Sequence, residues 1–245
     1  MISRLGKVML PPINAIRSNV DVQSVATMDE FLRRAPMMLI ASGKPFQYLP
    51  TDWGDSVQMI GPCVLDPEPK KSPDWLQSID RPIDLVTTSS EEQADTNLVT
   101  TAITALADEP VHVVATCRPA KHTARRARPM RRFAESHGPV LDRAVCAVTH
   151  GGMGATQKAL ARGVPVCVVP YGRDQFEVAR RVEVARCGAR PPAKKLTSAA
   201  LRAKVREAMT TTDGVKRAAA GFVATDGVVR GADLVEQRVL AINTG

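Results

Sequence analysis

Aromatic residues are scarce in this sequence: Phe, Trp and Tyr together make up 4% of its 245 residues. A core must therefore rely on Val, Ala, Leu and Ile. The same scarcity argues against a nucleic-acid surface, which stacks bases on interleaved aromatic rings. Cysteine is sparse too. The five stand at 63, 117, 146, 167 and 187, with no CxxC pair and no histidine at ligand spacing. That pattern argues against a zinc site and predicts small buried apolar residues in a reducing cytoplasm. No apolar run reaches the roughly 18 residues of a membrane span. The opening MISRLGKVML carries charges and no apolar segment of signal-peptide length.

What is present fits a globular protein. Hydrophobic residues make up 44%, and the length allows one large domain or one and a half smaller ones. The net charge of +8 is partly local: 118–132 holds seven Lys or Arg residues and no acid. A solvated basic loop is the simpler reading of that segment. Contact with an anionic membrane surface is the other, with nucleic acid a minor third.

Taken in order, residues 1–20 carry Pro11 and Pro12 with little periodicity and read as irregular. A short helix is expected within 21–34, with Phe31 and Leu32 on one side. Strands are expected at 37–41 and 57–61, joined by a turn-rich connection. Residues 66–73 hold three prolines and four charges, the mark of a stiff, solvated linker. Beyond it the pattern is regular. A short helix opens at Pro73, and a strand covers 83–87. The polar cluster 88–92 reads as a cap for a helix running to about Ala107, and strands follow at 111–116 and 145–149. A short helix or turn holds Val140 and Leu141. Thr197 is expected to cap a helix to Met209, with two more from Gly214 and over 227–240. Strands alternating with helices predict an α/β, Rossmann-like parallel sheet with helices on both faces.

The segment 150–182, HGGMGATQKALARGVPVCVVPYGRDQFEVARRV, organises the rest. A short buried strand ends at Thr149. Gly151, Gly152 and Gly154 permit a tight turn and close approach of a ligand. The helix that follows points its free N–H groups at that turn, a site suited to phosphate or diphosphate. The strand 164–169 then ends at Pro170. Asp174 and Gln175 follow, where open α/β sheets bind ligands, with side chains able to bond hydroxyls. A phosphate cradle followed by a hydroxyl-reading pair points to a sugar nucleotide.

This segment resembles the donor-binding signature of family 1 glycosyltransferases of the two-domain GT-B fold, in the bacterial branch that acts on lipids and natural products. The matching residues are His150-Gly151-Gly152, Gly154, Thr156, Ala159-Leu160, Gly163-Val164-Pro165, Pro170, Asp174-Gln175, Ala179 and Arg181-Val182. Residues 73–76, 85–91 and 113–116 are similar to the opening of that family's C-terminal domain. The resemblance implies two parts: 1–66, the tail of an N-terminal acceptor domain with the linker, and 67–245, the C-terminal nucleotide-sugar donor domain. Most of the family's first domain has no counterpart here.

The resemblance implies a transferase that moves a hexose from UDP or TDP to a hydroxyl of a lipophilic acceptor, in the cytoplasm or at the inner face of its membrane. No cofactor or metal is expected. A partly protonated His150, with Gly152, Gly154, Ala155, Thr156, Ser89 and Ser90, would hold the donor diphosphate. Many relatives carry a hydroxyl residue where Ala155 stands, and Thr156 is expected to compensate. Asp174 and Gln175 would bind the sugar. Asp174 also fits a helix cap, Ser89 and Ser90 fit plain caps, and Phe133 fits a core position. Phe133 and Ala134 would meet the nucleobase, although 133–141 carries one residue more than the family pattern. The family's catalytic base is a histidine near the start of the N-terminal domain. This chain's histidines stand at 112, 122, 137 and 150, and none takes that role. Two alternatives follow: a half-enzyme needing an acceptor-domain partner chain, or a non-catalytic sugar-nucleotide binding module. A basic nucleic-acid binder is a weaker third.

Overall fold

The computed structural model describes residues 2–48, 54–64, 73–89, 95–116, 131–132, 137–192 and 196–240. Its centre is a six-stranded sheet. In chain order the strands are β3 (Ile83–Thr87), β4 (His112–Thr116), β5 (Arg131–Arg132), β6 (Ala144–Thr149), β7 (Val166–Val168) and β8 (Gly188–Ala189). Their spatial order is β5-β4-β3-β6-β7-β8, and every pairing is parallel. All five residues of β3 are buried, as a strand covered on both faces requires.

Alternation along the strands divides the interior in two. Ile83, Leu85, Val114, Ala147, Val166 and Val168 face one layer of helices. That layer holds α5 (Gly138–Leu141), α6 (Met153–Ala161), α7 (Gln175–Ala185) and α9 (Thr212–Thr225). Val86, Ala115, Cys146, Val148 and Cys167 face α4 (Thr96–Leu106) and α8 (Ser198–Met209) on the other side. The expected helix-flanked parallel sheet is therefore present, and Cys146, Cys167 and Cys187 are buried free thiols. Thr197 caps α8 as anticipated, its hydroxyl accepting the Ala200 N–H at 3.1 Å.

Three expectations need correction. Residues 1–20 are not irregular: Ile2–Asn19 is a helix, α1, with Pro11 and Pro12 inside it. Each proline removes a ladder bond and crowds the carbonyl four residues back, a local cost that this helix carries. Tertiary ties hold α1 against α2 (Met28–Arg33): the Asn14 amide donates to the Val25 carbonyl and accepts the Val25 N–H, both at 2.9 Å. Within α2, Leu32 is exposed while Phe31 is half-buried, so the two do not share a face. The second correction concerns α4, which starts at Thr96 rather than at the polar cluster after β3. The third concerns the basic segment. Arg131 and Arg132 form an edge strand on β4 rather than loop, and 117–130 lies outside the described residues.

The amino-terminal residues pack on this unit. The strands β1 (Met38–Ile40) and β2 (Val57–Met59) form a parallel pair of their own. Phe46 meets Phe222 of α9 edge-on, with centroids 6.1 Å apart, and belongs to the same core as β3. A short helix, α3 (Asp74–Gln77), follows the expected linker, of which 65–72 lies outside the described residues. The chain closes with α10 (Gly227–Val235) and a π-helical turn at Glu236–Leu240, whose Arg238 donates to the Asp55 carbonyl at 2.8 Å.

Candidate functional site

From β3 the chain builds outward to β4 and β5, then crosses back to β6 and continues the other way. The order therefore reverses between β3 and β6. At such a switch point the loops leave in opposite directions and open a crevice at the carboxyl ends of the strands. Thr87 and Thr149 are paired there, so Thr88-Ser89 and His150-Gly151 emerge side by side.

The turn after β6 is shaped by its glycines. Gly151 has φ +95°, and its N–H donates to the Thr149 hydroxyl at 2.9 Å. The His150 ring folds over Gly152, where a Cβ would stand 2.7 Å from Nε2. Gly152 occupies the cap position of α6 with no side-chain cap, and the first turn carries no acid. The leading N–H groups and the helix dipole thus favour an anion. Gly154 is exposed, with nothing within 4 Å of where a Cβ would be, so the mouth of the turn is open. Ala155 is half-buried in this first turn.

Thr156 does not face the mouth. It is the fourth helical residue, the first whose N–H reaches back to an intrahelical carbonyl, and it bonds Gly152 O at 3.1 Å. Its hydroxyl donates to the same carbonyl at 2.9 Å. The expectation that Thr156 compensates for the missing hydroxyl at Ala155 is corrected on that ground.

His150 is 8% exposed, and its Nδ1 is buried with no hydrogen-bond partner. Burial pushes the pKa of the ring down, opposed by the charge of Asp95, the Thr87 carbonyl and the charge of Asp174. In the ligand-free protein burial thus drives the ring toward neutrality. Asp174 is exposed at the cap position of α7, yet its side chain makes no capping bond. Gln175 is 2% exposed, and its Oε1 accepts the N–H groups of Tyr171 and Gly172 at 2.8 and 3.1 Å. That oxygen holds the loop after β7.

Ser89 is buried beside the turn, its N–H donated to Asp95 Oδ2 at 2.6 Å. Ser90, Phe133 and Ala134 lie outside the described residues. Two neighbours were missed from sequence. Asp95 directly precedes the apolar pattern of α4, a helix-start signal masked by the earlier polar cluster. Tyr171 bridges the crevice, its hydroxyl 3.1 Å from Asn97 Oδ1, and burial pushes its pKa up to about 12.

Among the described residues no cluster of His, Cys, Asp and Glu is arranged to hold a metal ion, and no helix is long and apolar enough to cross a membrane. The arrangement offers an open, uncapped helix start, an orphaned imidazole nitrogen and a carboxylate across the crevice. It can take an anion with a polar appendage.

Comparison with known proteins agrees with this geometry. Residues 136–233 match the model of the C-terminal domain of erythromycin biosynthesis protein CIII-like proteins. The chain is 29% identical over 237 residues to 4'-demethylrebeccamycin synthase of Lentzea aerocolonigenes, covering 91% of this chain and 55% of that protein. The chain thus spans about half the length of this curated relative. Among solved structures, the calicheamicin glycosyltransferase CalG4 superposes with TM-score 0.74 at 22% identity, over 95% of this chain and 60% of that one. SsfS6 of Streptomyces sp. SF2575, a glycosyltransferase solved with thymidine diphosphate, superposes with TM-score 0.64 at 15% identity, over 93% and 58%. The fold is that of GT-B glycosyltransferases, matched to their C-terminal half.

Proposed function

We propose that this chain holds a UDP- or TDP-linked hexose for transfer to a hydroxyl of a lipophilic acceptor, a reading supported by the match of residues 136–233 to the EryCIII-like C-terminal domain. The observation that carries the reading is the glycine turn opening onto the uncapped start of α6 at the switch point, with His150 Nδ1 unpartnered beside it. Attack by the acceptor oxygen forms its bond to the anomeric carbon. The bond from that carbon to the diphosphate oxygen breaks, and the nucleoside diphosphate leaves with the electron pair. Negative charge grows on the diphosphate, where the first N–H groups of α6 and the His150 ring stabilise it without a metal. Asp174 accepts from the sugar hydroxyls and fixes the anomeric carbon for in-line attack.

The proton of the acceptor hydroxyl needs a base. We place it on an acceptor-binding domain, because His112, His137 and His150 all stand in the six-stranded unit and no histidine occurs in 1–66. That last observation also favours a second reading, a donor-binding module that makes no bond alone.

Calorimetric titration of UDP, TDP and their hexose conjugates into the purified chain tests the proposal. Saturable binding, weakened in His150→Ala, is expected. Asp174→Ala is expected to weaken the sugar conjugate and leave the bare nucleotide unchanged. A folded chain that binds none of the four ligands would refute the reading. Sugar transfer on adding an acceptor-domain chain would separate the half-enzyme from the inert module.

A further inference from the structure

We infer that Asp95 is a positioning residue of this site: its buried carboxylate holds the Ser89 backbone and keeps a proton on His150 when a diphosphate lies in the glycine turn. The inference rests on the donor-site reading above. Asp95 stands at the start of α4 and is 4% exposed. Helix capping does not explain it, because its side chain makes no capping bond. The carboxylate instead accepts the Ser89 N–H at 2.6 Å. The parallel register of β3 and β6 sets that loop beside His150.

A carboxylate this deeply buried is costly unless a cation or strong donors compensate it. One N–H bond is a partial answer, and an imidazolium across the crevice completes it once a diphosphate is bound. Among the described residues, the charged groups whose field reaches the His150 ring are Asp95 at the start of α4 and Asp174 at the start of α7, with the Thr87 carbonyl from β3. All three favour the protonated ring, and burial opposes them. In the ligand-free site burial prevails. An arriving diphosphate adds negative charge, and the ring takes up a proton. Asp95 lowers the threshold for that uptake. Asp95 also pushes the Tyr171 hydroxyl pKa up, behind burial, so its charge reaches the far wall of the crevice as well.

The variant Asp95→Asn keeps an acceptor for the Ser89 N–H and removes the charge. The His150 imidazole is followed by NMR in the free protein, assigned with His150→Ala, and its midpoint is expected to fall by about one unit. Calorimetry of UDP in buffers of different ionisation enthalpy is expected to show proton uptake in the wild type. In the variant that uptake falls and affinity near neutral pH drops about tenfold. An unmoved His150 midpoint in a folded variant overturns the inference, whatever the nucleotide does. A wild type that binds no nucleotide overturns the donor reading instead, while the midpoint still decides the Asp95–His150 pairing. If the variant does not fold, the wild-type Asp95 carboxyl carbon is followed through the His150 titration. A step at the His150 midpoint supports the pairing, and a flat trace refutes it.

Discussion

Asp84 is the group whose ionisation this fold resists most plainly. It is the second residue of β3, 1% exposed, with both carboxylate oxygens buried and without a hydrogen-bond partner. Its register neighbours are Val113 and Cys146. Burial, aided by the negative charge of Glu109, pushes its pKa from 3.8 up to about 7. The folded value thus lies above the unfolded one. The associated stability is complete below the unfolded pKa and is lost as pH rises through the folded one. A shift of about three units corresponds to about 4 kcal/mol, of which roughly 2.5 kcal/mol disappears between about pH 5 and about pH 8. Replacing the carboxyl by an apolar side chain of similar size removes the titration. Asp84→Val is therefore expected to exceed the wild type in stability by several kcal/mol near pH 8 and by much less near pH 5. Urea unfolding of both proteins at the two pH values measures the difference, and groups common to both cancel. A stability difference that is the same at both pH values would show that Asp84 does not titrate in the folded chain. The argument from burial would then be wrong.

Three further outcomes are expected. In Gly152→Ala the new methyl would stand 2.7 Å from His150 Nε2, so the ring must shift. A loss of about 1–3 kcal/mol in stability is expected, together with weakened UDP binding in calorimetry. Gln175→Ala leaves the N–H groups of Tyr171 and Gly172 without their acceptor. The expected cost is about 1–3 kcal/mol by denaturation, and faster amide exchange at those two residues is the specific sign. Chelation with EDTA is expected to leave nucleotide binding unchanged, because the start of α6 and His150 supply the positive potential; weaker binding would bring a metal into the site.

Much of the sheet could be read from the sequence because buried parallel strands are short continuous apolar runs. The run 83–87 corresponds residue for residue to β3, and 145–149 misses β6 by one residue. Misreadings arose where tertiary contacts override local preference. Pro11 and Pro12 argue for irregular chain, yet α1 runs through both, and Asn14 bonds the Val25 backbone in the segment that follows. At the site, the glycines showed where the turn is, since only a residue free of Cβ fits under the His150 ring. Side-chain direction could not be read that way. Asp174 and Gln175 are neighbours in sequence, but α7 begins between them, so one stays exposed in the crevice and the other turns under the loop. Asp95 escaped notice because its partner is a backbone N–H six residues earlier, and no residue pattern encodes that bond.

The helices that shape the anion site also anchor the amino-terminal segment. Gln157, four residues into α6 past its start, donates to the Ala41 carbonyl at 3.1 Å, where β1 has just ended. Arg181 of α7 donates to Gln47 Oε1 at 2.6 Å, pairs with Glu177 at 3.3 Å and lies 5.7 Å from the Tyr48 ring centre. Its side chain is 16% exposed, so these bonds are poorly screened by solvent and count for more than those of a surface pair. Segment 38–48 is therefore referenced to α6 and α7 themselves. In the proposed reading, acceptor-side residues that continue from β1 take their position from the same helices that receive the diphosphate. The Gln157 and Arg181 contacts thus tie the segment after β1 to α6 and α7.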